Sequence, residues 1–451
     1  MAKLKAQFSC QACGAVFTRW LGRCTSCDTW SSVVEDVLPA RSEGKSGPRA
    51  PTNVQPVSAI DRDRAERFPT GIVELDRVLG GGVVQGGVTL VGGDPGIGKS
   101  TLLLQAIAAL ARQGHRCLYV SGEESAGQTA ARARRLGATA DDILVLAEND
   151  LDVVEQAIDE VKPVVVVVDS VQTMRAPSLE SAAGTVSQLR EVAARMVDRS
   201  KRSGVATFLV GHVTKDGGLA GPKVLEHLVD TVLAFEGERG HSFRSLRTQK
   251  NRFGSATEVG VFEMTGEGMR EVPNPSALFL AERPRGASGS AIAATNEGTR
   301  AMLVEVQALV GSLAVGSARR TTTGVDPGRL AMILAVLERK AGLMVAGLDV
   351  FLNVAGGLRV DEPAIDLPMA LAVASSLQNR PIAFDTVAFG EIGLAGEVRG
   401  VGRTDARLTE AVAIGFKRAI IPATAASTGM RERLEVVAVK TVEEALAAAL
   451  A

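Results

Sequence analysis

The chain of 451 residues is 46% apolar and 22% charged, with a formal net charge of −1. That length supplies two or three hydrophobic cores; no stretch approaches the roughly 18 apolar residues of a membrane span, and Met1 to Cys10 lacks the apolar core of a secretory signal, so a multidomain cytoplasmic protein without a membrane partner is expected. A charge so near zero gives no global field for nucleic acid, and thirteen Phe, two Trp and one Tyr are too few for a surface of many base-stacking rings, so any polynucleotide must be held by a local groove.

Four of the five cysteines fall in the first thirty residues, as two Cys-x-x-Cys knuckles, Cys10 with Cys13 and Cys24 with Cys27, ten residues apart. Each pair can present two thiolates to one tetrahedral ion, and Gly14 and Gly22 let the segment between them fold back, so residues 1–35 read as a ribbon around a structural zinc. Disulfides are the alternative, disfavoured in a reducing compartment. Residues 36–66 carry Pro39, Pro48, Pro51 and Pro56 and no aromatic, the composition of a flexible tether.

From residue 67 to about 275 strands and helices alternate. Strand Val88 to Val91 is followed by Gly93-Asp94-Pro95-Gly96-Ile97-Gly98-Lys99-Ser100 and by a helix from Lys99 to Arg112, whose Thr101 adjoins the loop as a further nucleotide-binding candidate. Glycines let consecutive N–H groups curl around an anion, the helix start adds its positive end, Lys99 supplies a point charge for the outer phosphates of ATP, and Ser100 is placed to hold Mg2+. Strand Arg116 to Val120, whose Cys117 reads as a small core residue, ends at Ser121-Gly122-Glu123-Glu124. A carboxylate there can deprotonate water beside a γ-phosphate, with Glu123 preferred and Glu124 in reserve. Strands Ile143 to Leu146 and Val164 to Val168 follow, and Asp169 closes the second as a ligand for magnesium-bound water. Helix Val186 to Ser200 and strand Val205 to Val210 complete an α/β core with a mainly parallel sheet and ligands at the strand C-termini. Beyond residue 230, Thr231 to Phe235, Phe243 to Thr248 and Glu258 to Met264 read as antiparallel additions. The run from Arg239 to Thr257 holds five Arg or Lys and no acid, which by itself is as easily a solvated edge as a site.

The ribbon, Thr70-Gly71 with Glu74 through Gly82, the phosphate loop, Tyr119 through Ser125, and Lys250-Asn251-Arg252-Phe253-Gly254 together resemble the bacterial RadA (Sms) family of DNA repair proteins, relatives of the RecA and DnaB motors. The resemblance covers essentially the whole chain. It implies a RecA-like P-loop core and a DNA-dependent ATPase that moves on single-stranded DNA as a homohexamer and promotes branch migration of branched recombination intermediates together with RecA. It further implies that Lys250 and Arg252 reach the γ-phosphate of a neighbouring copy, that His212 senses phosphate, and that Lys215 and Lys223, in the Gly-rich loop after it, contact DNA.

Residues 276–451 resemble the α+β proteolytic domain of Lon, through Gly356 to Ala364 and Gly390 to Val398. Aligned by eye, the protease's Ser falls at Ala364 and its Lys near Asp405. Without a hydroxyl and a desolvated amine the Ser/Lys chemistry is gone, so an inert scaffold is expected. Asp326-Pro327 and Asp366 read as helix caps, and Thr441 with Glu444 as a capping box. Two other functions compete: a nucleotide-switched scaffold of the KaiC type, and an ATP-dependent peptidase, against which Ala364 argues.

Overall fold

A computed structural model of the chain describes residues 6–10, 15–26, 28, 30, 33–37, 67–212, 224–237, 243–313, 318–425 and 433–450. Cys13, Cys27, Lys215, Lys223 and residues 38–66 of the expected tether lie outside these. The chain forms two compact units, one of residues 1–236 and 246–271, the other of residues 237–245 and 272–451. No helix among the described residues is long and apolar enough to cross a membrane.

In the first unit a three-stranded antiparallel ribbon, β1 (Ala6–Cys10), β2 (Val16–Phe17) and β3 (Val33–Val37), is ordered β2-β1-β3. A short pair, β4 (Arg67–Phe68) and β5 (Val83–Val84), flanks helix α1 (Val73–Leu79). The core then runs β6 (Val88–Gly92), α2 (Lys99–Arg112), β7 (Cys117–Ser121), α3 (Ala126–Arg135), β8 (Ile143–Ala147), α4 (Leu151–Val161), β9 (Val165–Asp169), α5 (Val186–Ser203) and β10 (Ala206–Val210). It closes with α6 (Val224–Leu228), β11 (Thr231–Glu236), β12 (Phe243–Asn251), β13 (Val259–Thr265) and β14 (Gly268–Glu271). The nine strands are ordered β14-β13-β12-β11-β6-β10-β9-β7-β8.

The all-apolar strands are explained by cover on both faces. Val165 and Val167 of β9 share a buried cluster with Leu102, Leu103 and Leu110 of α2, whereas Val166 and Val168 share one with Val154 and Ile158 of α4 and Leu189 and Val192 of α5. Alternate side chains leave a strand on opposite sides, so a strand between two helical layers must be apolar throughout. Full burial of each valine contributes roughly 1.5–3 kcal/mol.

The direction expected for Thr231–Phe235 is corrected. β11 pairs in parallel with β6, Thr231 opposite Thr89, because α6 lies between β10 and β11 and the chain re-enters the sheet at the same end from which β6 starts. β13, one of the strands expected to be antiparallel, pairs antiparallel with β14, a strand the sequence reading did not include. Helix α3 carries a reciprocal cap between Ser125 and Gln128, and α5 runs on to Ser203 before Gly204 ends it with φ 76°.

The second unit holds α7 (Pro275–Phe279), β15 (Ser290–Glu297), β16 (Arg300–Leu313), β17 (Arg320–Thr323), α8 (Pro327–Arg339), β18 (Leu348–Val354), α9 (Asp366–Gln378), β19 (Thr386–Ala388), β20 (Glu391–Ile392), β21 (Val398–Arg399), α10 (Thr404–Ile414), β22 (Arg418–Pro422), β23 (Glu435–Val439) and α11 (Val442–Ala449). Seven strands form one mixed sheet, β17-β18-β16-β15-β19-β22-β23. Asp326 caps α8 by accepting from the Arg329 N–H at 2.9 Å. Asp366 is not a cap: it already lies within α9, entered through the tight turn Pro363–Ile365, and its carboxylate is taken by Arg329 at 2.7 Å and the Ile392 N–H at 3.2 Å. Thr441 caps α11, but Glu444 accepts from the Lys440 N–H at 2.7 Å, one residue upstream of a true capping box.

Candidate nucleotide-binding site

Gly93 to Ser100 joins the C-terminal end of β6 to the start of α2. Gly98, immediately before the helix, has φ 116°, a conformation that an L side chain rarely adopts. Ile97 is buried and anchors the loop, while Asp94, Pro95 and Gly96 are exposed. Lys99 is folded back on the loop, donating to the Gly93 carbonyl at 2.7 Å and the Asp94 carbonyl at 2.9 Å. Burial pushes its ammonium down to about 8, against the pull of Asp169, Asp94 and Glu123. A poorly hydrated cation whose hydrogen bonds go to neutral acceptors is poised to take an incoming anion.

The ends of the neighbouring strands bring the acids. Tyr119 is 1% exposed and its hydroxyl donates to Asp169 Oδ2; burial, reinforced by the Asp169 charge, raises its pKa. Glu123 Oε1 accepts from the Ser170 hydroxyl at 2.5 Å and lies 3.3 Å from His212 Nε2, while His212 Nδ1 lies 3.3 Å from Lys99 Nζ. Partial burial works against the Glu123 charge, but the hydrogen bonds from Ser170 and His212 and the charge of Lys99 outweigh it, so the carboxyl titrates below its ordinary range. Glu124 is held in an ion pair with Arg132. Together these groups and the loop line a cavity of about 430 Å³ that also touches Thr101, Arg135 and Met264.

The structure does not bring Lys250 and Arg252 to this cavity. They sit at the other end of the sheet, where β11 and β6 begin. Lys250 Nζ donates to the carbonyls of Glu226 at 2.5 Å and Val229 at 2.7 Å, and Arg252 pairs at 3.1 Å with Asp230. Asp230 is 3% exposed, accepts from the Val88 N–H at 3.2 Å and also lies 3.7 Å from Lys201 Nζ. Val88 and Gly92 bound β6, and a strand of that length spans about 13 Å at its usual rise. Asn251 braces the turn by donating to the Leu79 carbonyl at 3.3 Å and accepting from the Phe253 N–H at 2.9 Å. Gly80 and Gly254 touch here, since a Cβ on Gly254 would lie 3.2 Å from Gly80 Cα.

In the ribbon, Cys10 and Cys24 are fully buried in one cluster with Val33, and the Ser26 N–H donates to Cys24 Sγ at 3.4 Å. A buried thiol that receives a backbone N–H, as Cys24 does, suits a thiolate ligand of a metal. Cys117, by contrast, is pushed up to about 12 by burial and the nearby Asp142, as befits an inert core thiol.

Sequence reasoning gave no role to Ser170, Tyr119, Arg132 or Asp230. Ser170 carried a faint signal, a hydroxyl directly after the acid that closes an apolar strand; Asp230 carried none, because its partners come from distant segments.

Three family models match parts of the chain: an AAA domain over residues 55–218, a rubredoxin metal binding domain over residues 8–35, and subunit ChlI of Mg-chelatase over residues 332–425. The first two place a P-loop ATPase domain behind an N-terminal zinc ribbon, and the third marks a ChlI-type, Lon-like C-terminal domain. Curated relatives align end to end. The DNA repair protein RadA of Halalkalibacterium halodurans is 49% identical over 99% of both chains, that of Pseudomonas aeruginosa 50% over 99% of both, and that of Bacillus subtilis 47% over the whole of both. A solved KaiC-like protein from Pyrococcus horikoshii OT3 aligns over its whole length with 46% of this chain at 22% identity and a TM-score of 0.39. At this identity and coverage, the chain belongs to the DNA repair protein RadA family.

Proposed function

We propose that this chain is a DNA-dependent ATPase that hydrolyses ATP at seams between identical copies, in a ring of six, and uses the cycle to move along single-stranded DNA and drive branch migration of recombination intermediates together with RecA. The observation that carries the reading is the position of Lys250 and Arg252: about a strand's length from the loop of their own chain, they supply cations to phosphate only if that phosphate belongs to a neighbour. Their internal partners, two carbonyls and one buried carboxylate, hold them in place until then. The relatives' role in DNA repair supports DNA as the track.

The described residues fit ATP with magnesium. Lys99 and the backbone N–H groups of Gly96 to Ser100 would hold the β- and γ-phosphates, and Ser100 and Asp169 would hold the ion, which neutralises phosphate charge when bound. Glu123 takes the proton of the attacking water, since Glu124 is engaged by Arg132. The water oxygen bonds to the γ-phosphorus, the bond to the bridging oxygen breaks with its electron pair leaving on ADP, and the proton passes to Glu123. His212, in contact with both Lys99 and Glu123, reports occupancy to the segment that follows it, where Lys215 and Lys223 meet DNA phosphates. Cys10 and Cys24, with Cys13 and Cys27, hold a structural zinc. In the C-terminal domain Ala364 has no hydroxyl and Asp405 is exposed, which weighs against peptidase chemistry.

ATP turnover measured with and without single-stranded DNA tests the proposal. Stimulation is expected, together with DNA affinity that falls steeply as salt rises, because bound cations release counterions. Turnover indifferent to DNA would instead fit a nucleotide-switched scaffold.

A further inference from the structure

We infer that Ser170 is a positioning residue for ATP cleavage, its hydroxyl holding the Glu123 carboxylate in the orientation from which it meets the attacking water. The inference rests on the reading of Glu123 as the base. Ser170 is 0% exposed and donates to Glu123 Oε1 at 2.5 Å. Its own backbone is fixed from both sides. The Ser170 carbonyl accepts from the Thr173 N–H at 3.2 Å and the Thr173 hydroxyl at 2.8 Å, and the Val171 N–H donates to the Val210 carbonyl, at the end of β10, at 2.9 Å.

The segment carrying Glu123 is pressed against the same turn. The Gly122 N–H donates to the Asp169 carbonyl at 2.9 Å, and a Cβ on Gly122 would lie 2.2 Å from Thr173 Oγ1, so only glycine allows this approach. The ends of β7 and β9 are thus locked together around one buried hydroxyl. Glu123 itself has a side chain 46% exposed, and its other hydrogen bond, from His212 Nε2, is long at 3.3 Å. Both bonds fall on Oε1, which leaves Oε2 to accept the water's proton. A half-exposed glutamate without such a tether would spread over several rotamers, and misplacement by about 1 Å can cost on the order of 100-fold in rate.

The titratable and charged groups lining this cavity are Lys99, Glu124, Arg132, Arg135, Asp169 and His212. Glu123 titrates low because the bonds from Ser170 and His212 and the charge of Lys99 outweigh its burial. Removing the Ser170 hydroxyl therefore raises its pKa, and a base that must be ionised then loses activity at a higher pH on the acid side.

The experiment compares Ser170→Ala and Glu123→Gln with wild type in the full chain, reading kcat, ADP affinity and the acid limb of the pH–rate profile. Ser170→Ala is expected to lower kcat about 10- to 100-fold, leave ADP affinity unchanged and move the acid limb to higher pH. An unmoved acid limb, an unchanged kcat, or loss of ADP affinity in step with kcat overturns the inference. Retention of full activity by Glu123→Gln would instead remove the base on which it rests, so the two failures are told apart.

Discussion

Replacing Lys99 by methionine is expected to lower ATP turnover by at least about 100- to 1000-fold, the usual loss when one preorganised electrostatic donor is removed from a transition state, while the protein remains folded. Methionine keeps much of the stem that fills the space under the loop and removes the ammonium held by the Gly93 and Asp94 carbonyls. The wild-type ammonium, pushed down to about 8, is a charge that the empty site disfavours. A group whose folded pKa is lowered in this way costs the fold stability below that pKa, and the cost fades as the pH rises above it. Melting at neutral pH should accordingly not be weakened by loss of the charge. The same position makes ADP affinity of the wild type level below about pH 8 and progressively weaker above it, since the anion must then draw a proton onto Lys99. Titration calorimetry across that range checks the pH dependence, and steady-state turnover checks the variant; a methionine variant with wild-type turnover would remove Lys99 from the mechanism.

Arg407→Ala should destabilise the C-terminal unit by roughly 3–5 kcal/mol, the cost of breaking a buried ion pair. Arg407 is 0% exposed, donates to the carbonyls of Ala294 at 2.5 Å and Gly402 at 3.0 Å, pairs with both oxygens of Glu362, and lies 5.5 Å from the Phe389 ring centre. Truncation leaves the Glu362 carboxylate and two carbonyls without their main donor. Glu362 is two residues before Ala364, and Arg407 two residues after Asp405, so the hydrogen-bond network ties these two segments together. Thermal melting with limited proteolysis of residues 272–451 reads the effect, and combining Arg407→Met with Glu362→Gln should recover part of it, because no charge is then left unpaired. Wild-type melting of Arg407→Ala would show that the pair contributes nothing.

The sequence made some parts of this molecule legible and hid others for identifiable reasons. The phosphate loop is contiguous, so its residues announce themselves together, and the run of valines closed by Asp169 follows from a strand covered on both faces. Strand direction is another matter. Nothing in the composition of Thr231–Phe235 says that the chain re-enters the sheet at the end from which β6 starts, which makes the pairing parallel. Asp366 reads as a cap because of its local neighbours, yet Arg329, distant in sequence, takes the carboxylate instead. The links from Ser170 to Glu123 and from Asp230 to Lys201, Arg252 and Val88 join separate segments, and a single sequence carries no record of such distances.

The most direct test of action between copies is ATP turnover in mixtures of Lys99→Met and Lys250→Ala chains, each of them nearly inactive alone. Lys250→Ala chains keep an intact phosphate loop, because Lys250 lies at the far end of β6 from it, and Lys99→Met chains keep the lysine that a neighbour would use. Turnover should reappear when the two are mixed, since seams that join the intact half of each are then complete. Mixtures as inactive as the separate variants would contradict a catalytic seam shared by neighbouring chains.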